Sequence, residues 1–168
     1  MTTFSERVER ISISGIREVF EAAGDDAINL GLGQPDFPTP PHARQAAVDA
    51  IESGKADAYT ENKGTPALRE AIAEKHRADQ GIDLDPGNVI ATAGGSEALH
   101  IALEAHVDAG DEVLIPDPGF VSYDALTKLA GGEPVPVPLR DDLTIDPEAI
   151  EDAITDDTAA FVVNSPGN

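Results

Sequence analysis

The feature that most constrains the fold is a regular alternation of helical and strand-like segments after residue 41. Helices are predicted at 42–53, 66–80, 96–109, 121–129 and 147–154, and short apolar strands at 89–92, 112–116, 134–139 and 159–163. Strands that alternate with helices form a parallel sheet covered by helices. The sequence therefore predicts an α/β fold, with a mainly parallel sheet and helices on both of its faces.

The first 40 residues lack this regularity. Apolar residues at helical spacing over 5–23, interrupted near Gly15, predict two short helices or one kinked helix. The following stretch, 31–41, is rich in proline and glycine and predicts an ordered but irregular loop.

The charge of the chain is strongly one-sided, with 32 acidic and 11 basic residues and a net charge of −21. Such a chain cannot neutralise the many phosphates of a nucleic acid or the negative charge of an anionic membrane surface. Neither is therefore an expected partner. The acidic residues are scattered along the chain, which favours a folded protein adapted to a salt-rich cytoplasm.

Features of secreted or membrane proteins are not found in the sequence. It contains no cysteine, no apolar run of the ~18 residues that a membrane span requires, and no signal peptide. We therefore expect a soluble cytoplasmic protein, without a membrane partner and without a metal site.

The most informative junction is the Gly-Gly turn between a predicted strand and a predicted helix, at Gly94-Gly95-Ser96-Glu97. Free N–H groups at a helix start can hold a phosphate, and glycines let it approach. The alternative is a tight turn in which Ser96 only caps the helix.

Two other predicted strands end in residues suited to a flat ring. Phe120 follows the strand at 112–116 and can stack on a heteroaromatic group, or it is ordinary core. Asn164 and Asn168 follow the strand at 159–163; their amides either shape the Pro-Gly turn or donate to a phenolate oxygen.

Several stretches in the right order resemble the class I/II (fold type I) aminotransferases over almost the whole chain. They are 31–37, Tyr59 with 64–73, 93–99, 110–113, 118–123, 131–132 and 164–168. The resemblance implies a pyridoxal 5'-phosphate (PLP) enzyme, closest to the aspartate/aromatic group, that moves an amino group between an amino acid and a 2-oxo acid. It also implies a homodimer, an N-terminal arm and substrate loop over 1–40, and the first part of the PLP-binding large domain over 41–168.

The resemblance also implies roles for single residues. Gly95, Ser96 and Glu97 match the positions that hold the PLP phosphate, and Phe120 matches the aromatic residue that stacks on the pyridine ring. Asn168 matches the asparagine that hydrogen-bonds the ring's phenolic oxygen. Tyr59 matches a tyrosine that reaches the phosphate in the neighbouring subunit, and Gly33 matches a loop residue against the substrate carboxylate.

The catalytic residues of the family lie later in its sequence order than Asn168. They are the lysine that binds PLP covalently, the aspartate beside the pyridine nitrogen and the arginine that binds the substrate carboxylate. Lys55, Lys63, Lys75 and Lys128 do not replace the lysine, since none follows a buried strand. We therefore expect a fragment without transaminase activity; the alternative is a non-catalytic remnant that keeps the fold as a dimerisation or interaction domain.

Overall fold

The computed structural model describes residues 3–12, 15, 22, 28, 33 and 35–168. The chain divides into two compact units. The sheet unit combines Met1–Ala22 with Ala93–Asn168, and the helical unit is Ala23–Thr92.

The sheet unit is built on three parallel strands, β1 (Glu112–Asp117), β2 (Glu133–Pro138) and β3 (Thr158–Phe161). Their order is β2-β1-β3, so the first strand lies in the centre. The connection from β1 to β2 and the connection from β2 past β1 to β3 run in opposite directions along the sheet, so right-handed crossovers bring their helices to opposite faces. This topology explains why β1 is buried on both sides.

The two faces of the sheet are marked by two adjacent residues of β1. Val113 and Leu114 are both 0% exposed, although successive side chains of a strand point to opposite faces. The chain therefore covers both faces of its central strand, as the continuous apolar run in this segment predicts.

The face that carries Val113 is covered by α4 (Gly95–His106) and α5 (Ser122–Ala130). Leu103 and Val107 are buried in this core, and Leu126 packs against it. The Thr127 side chain is also buried, and its hydroxyl donates to the Tyr123 carbonyl over 2.8 Å. Among the described residues, every buried side-chain nitrogen or oxygen atom has a hydrogen-bond partner.

The opposite face is covered by α6 (Pro147–Ala153), which packs on β2. Ile150 of this helix lines a small gap together with Val137 and Phe161. Asp146 caps the helix, because its carboxylate accepts the Glu148 N–H over 3.2 Å.

The helical unit contains α2 (Pro41–Glu52), α3 (Pro66–Gln80) and a short 3-10 turn at Pro86–Asn88. Thr65 caps α3 as predicted, since its hydroxyl accepts the Leu68 N–H over 3.3 Å. The α2 helix has no buried residue. The described residues of this unit therefore bury few apolar side chains.

Most predicted elements are confirmed, but the strand predicted at 89–92 is wrong. No described residue of this stretch is assigned to a strand. Val89 is extended and buried, and the Ala91 N–H donates to the Lys63 carbonyl over 3.0 Å. The apolar pattern predicted the burial of Val89, but Ile90 is exposed, and a strand also requires a partner ladder.

The N-terminal segment is described only in part. A short helix, α1 (Glu6–Glu9), is present, and Arg10 pairs with Glu133 over 2.6 Å. The rest of the predicted helical stretch lies mostly outside the described residues. Within the described part of the chain, no helix is long and apolar enough to cross a membrane, and no cluster of side chains is suited to a metal ion.

Candidate functional site

The start of α4 has the open geometry that a phosphate requires. Gly94 precedes the helix with φ 83° and ψ 173°, a backbone conformation that strongly favours glycine. A Cβ built on Gly94 or Gly95 meets nothing within 4 Å. The start of this 12-residue helix is therefore open around Gly94 and Gly95, and the partial positive charge of a helix start can attract an anion there.

Ser96 does not cap this helix, so the interpretation of Ser96 as a capping residue is wrong. Gly94 occupies the N-cap position, no side-chain cap bond is formed, and Ser96 is the second residue of the helix. The glycine-only backbone angle is at Gly94 and not at Gly95. The exposed Ser96 hydroxyl is thus not committed to capping the helix.

Glu97 has a local role at the same turn. Its carboxylate accepts the N–H of Ala93, which closes the turn ahead of the helix in the manner of a capping box. A carboxylate near a helix N-terminus also stabilises the helix dipole. Glu97 therefore shapes the turn that exposes Gly95 and Ser96.

The turn that follows β1 brings Phe120 to the carboxyl edge of the sheet. Gly119 is required there, since a Cβ at this position would lie 2.3 Å from the Pro116 carbonyl oxygen. Phe120 is half-buried and meets the buried Tyr123 edge to face, with ring centroids 5.7 Å apart. Tyr123 thereby fixes the ring of Phe120 at this edge.

A cleft of ≈ 590 Å³ opens where the three strands end. Its walls come from the turn after β1, the loop after β2 and the turn after β3. They are formed by Pro118, Gly119, Leu139, Asp142, Leu143, Thr144, Ile145, Asn164, Ser165, Pro166, Gly167 and Asn168. Asn164 and Asn168 thus reach the edge of the sheet where ligands bind in α/β folds.

The loop after β2 is held by an acidic residue on the cleft wall. The Asp142 carboxylate accepts both the hydroxyl and the N–H of Thr144, at 2.6 and 3.1 Å. These hydrogen bonds, led by the one from the hydroxyl, hold the pKa of Asp142 below its usual value. The carboxylate is therefore charged at neutral pH, and sequence reasoning gave it no role.

The sequence-predicted site residues lie in both units. Gly95, Ser96, Glu97, Phe120 and Asn168 belong to the sheet unit; among them only Asn168 lines the cleft. Tyr59 and Gly33 belong to the helical unit, and both are exposed.

The four lysines do not lie in the cleft. Lys75 is exposed on α3 and pairs with Asp79. Lys128 is partly buried on α5, and its side chain, 21% exposed, pairs with Asp124 over 2.7 Å. This pairing keeps the Lys128 amine on its own helix.

Comparisons with known proteins agree with this geometry. Residues 25–168 match the family described as aminotransferase class I and II. The chain is 45% identical to a probable aspartate aminotransferase of Methanocaldococcus jannaschii over 98% of its own length and 44% of that protein's. It is 44% identical to an aspartate aminotransferase of Pyrococcus horikoshii over 98% of its own length and 43% of that protein's.

Solved structures give the same result for the fold. The aspartate aminotransferase of Thermus thermophilus with maleate superposes with a TM-score of 0.91 at 39% identity, and the match covers 100% of this chain and 46% of that one. The fold is therefore the N-terminal part of a fold type I PLP enzyme. The chain belongs to the class I and II aminotransferases, whose members use pyridoxal phosphate, and it spans less than half the length of the relatives that it matches.

The residues present fit that cofactor. The uncovered helix start at Gly94 and Gly95 suits a phosphate, and the ring of Phe120 and the amide of Asn168 lie at the edge where the strands end.

Proposed function

We propose that this chain supplies the phosphate-binding and ring-contacting part of a PLP site in an aminotransferase. The enzyme moves an amino group between an amino acid and a 2-oxo acid. The observation that carries the proposal is the open N-terminus of α4 at Gly94 and Gly95, in a chain of this family. When bound, PLP supplies an electron sink for the substrate's α-carbon.

Each residue of the chain has a separate task in this proposal. The N–H groups of Gly95 and Ser96, with the Ser96 hydroxyl, bind the phosphate, and Glu97 holds the turn that exposes them. Phe120, backed by Tyr123, stacks on the ring, and the Asn168 amide donates to its phenolic oxygen.

We also propose that the site is completed by a second copy of the chain and by the substrate loop. Tyr59 extends to the phosphate in the neighbouring subunit of a homodimer, which agrees with its full exposure in its own unit. Gly33 lies against the substrate carboxylate, where the absence of a side chain permits a close approach.

Aspartate is the proposed amino donor, because several of the similar proteins are named aspartate aminotransferases. The Thermus structure with maleate, a dicarboxylate, agrees with a substrate of this class. The cytoplasm of a salt-adapted cell is the proposed location, and the net charge of −21 supports it.

The chain alone is proposed to be inactive, because none of Lys55, Lys63, Lys75 and Lys128 lines the cleft. The purified chain is incubated with PLP, reduced with borohydride and mapped by mass spectrometry, and amino transfer from aspartate is assayed in parallel. We expect scattered, substoichiometric lysine adducts and no amino transfer. A single stoichiometric lysine adduct together with amino transfer would contradict the proposal.

A further inference from the structure

Arg69 of α3 is the one charged side chain that is buried among the described residues, at 8% exposed. Its Nε donates to the Gly64 carbonyl over 3.2 Å, and its two terminal nitrogens donate to the Pro86 carbonyl over 2.9 Å and to the Glu61 carboxylate over 3.1 Å. Burial of a charge is costly unless its donors are satisfied. The guanidinium therefore links three separate places in the chain, namely the carbonyl groups of Gly64 and Pro86 and the carboxylate of Glu61.

Two of these three points lie at the end of the loop that joins α2 to α3. The Gly64 N–H donates to the Glu61 carbonyl over 2.9 Å, and the Lys63 carbonyl accepts the Ala91 N–H over 3.0 Å. Gly64 has φ 95°, and a Cβ there would lie 2.9 Å from the Cβ of Ala91. The turn Glu61–Gly64 is therefore fixed in one conformation from several sides.

Tyr59 lies two residues before this turn and has no packing that fixes it. Its side chain is 107% exposed. The direction in which the ring extends is therefore set by the backbone conformation at Tyr59. The nearest firmly held backbone that follows it is the turn that Arg69 binds.

We propose that Arg69 is a positioning residue for Tyr59. By binding Gly64, Glu61 and Pro86 it fixes the loop that presents the tyrosine to a second copy of the chain. The inference deepens the role of Tyr59 stated under the proposed function and rests on it. The α3 helix itself does not depend on Arg69, since Thr65 caps its start and Gly81 ends it in a left-handed conformation.

Arg69→Met tests the proposal in the chain itself, with Arg77→Met as the matched control. Arg77 lies on the same helix, but it is half-exposed and pairs only with Glu74 and Asp83 in the described contacts. A lysine-specific protease can cut after Lys55, Lys63, Lys75 and Lys128. The peptide bond between Lys63 and Gly64 is the one that the contacts of Arg69 with Glu61 and Gly64 protect directly from the protease.

We expect cleavage after Lys63 to accelerate about ten- to a hundredfold in Arg69→Met, because charge-assisted hydrogen bonds to the turn are lost. Cleavage after Lys75 and Lys128 should be unchanged, and Arg77→Met should match the parent chain at all sites. A general loss of stability would instead accelerate all sites together, and that result would overturn the proposal. An unchanged rate after Lys63 would overturn it as well.

The two tyrosines allow a direct view of the positioned residue. In a chain labelled with 3-fluorotyrosine, the ¹⁹F signal of exposed Tyr59 should sharpen in Arg69→Met, while that of buried Tyr123 should keep its width and position. A Tyr59 signal of unchanged width would overturn the proposal.

A milder variant, Glu61→Ala, tests the role of Arg69 if Arg69→Met does not fold. Glu61→Ala removes one of the three acceptors from a half-exposed position. It should accelerate cleavage after Lys63 about threefold, with no change after Lys75. Equal cleavage of both sites would overturn the proposal. None of these readouts uses PLP, so they fail or succeed independently of the proposed cofactor site.

Discussion

The sheet unit and the helical unit are held together in different ways. The sheet unit has an apolar core around Val113 and Leu114, whereas the helical unit has the polar contacts of Arg69 at its centre. Their charges differ as well: the sheet unit (1–22 and 93–168) contains 20 acidic and five basic residues, against 12 and six in the helical unit (23–92).

This difference shows how a very acidic chain can fold. The unit with the greater excess of negative charge is the one with apolar packing on both faces of a sheet, which offsets the repulsion. In the less acidic unit Arg69, Lys75 and Arg77 form ion pairs, and the sheet unit has ion pairs as well, such as Lys128 with Asp124. The following variants and conditions test this division, beginning with the largest expected effect.

Truncation in the core of the sheet should cost far more than truncation in the helical unit. Leu114→Ala removes a side chain that is 0% exposed and should lower the free energy of unfolding by about 2–5 kcal/mol. Ile51→Ala, at a position that is 68% exposed on α2, should change it by less than about 0.5 kcal/mol. Denaturant unfolding measures both, and similar losses would show that α2 is packed as tightly as the sheet.

Salt should stabilise the sheet unit more than the helical unit, because the sheet unit carries the larger excess of negative charge. Raising the salt concentration from 0.1 M to 1 M shortens the Debye length from about 10 Å to about 3 Å. The larger repulsion in the sheet unit is then screened, while the ion pairs of both units are weakened. Amide exchange should therefore slow more in β1 than in α3. Equal slowing in both elements would contradict the contrast between them.

Two hydroxyl residues near helix starts should differ in their effect on stability. Thr65→Ala removes a capping bond to Leu68 and should cost about 1 kcal/mol. Ser96→Ala removes no cap and should change stability by less than about 0.5 kcal/mol. Melting curves without cofactor compare the two variants. A loss in Ser96→Ala as large as that in Thr65→Ala would restore a capping role.

The fold of the sheet unit could be predicted because its signals are local. Apolar runs marked β1, β2 and β3, and turn residues such as Gly131 marked the helix ends. The stretch 89–92 was predicted incorrectly, because an apolar run does not show whether a neighbouring strand is present to pair with it.

The sequence predicted which positions belong to the candidate site, but it did not predict the contacts that hold them. The Gly-Gly turn at 94–95 pointed to an anion, but the sequence offered Ser96 as the capping residue, whereas Gly94 occupies the N-cap position. Arg69 was missed because an arginine on a helix is usually solvated, and its partners Gly64 and Pro86 are carbonyl groups that any residue carries.

If the start of α4 holds the phosphate of PLP, the amide chemical shifts of this turn report the binding. A ¹⁵N-labelled chain in molar salt is titrated with PLP and, separately, with pyridoxal, which has the same ring without the phosphate. We predict that the amide signals of Gly95, Ser96 and Glu97 shift with PLP and stay in place with pyridoxal. Equal shifts with both compounds, or no shift at these three amides with PLP, would contradict it.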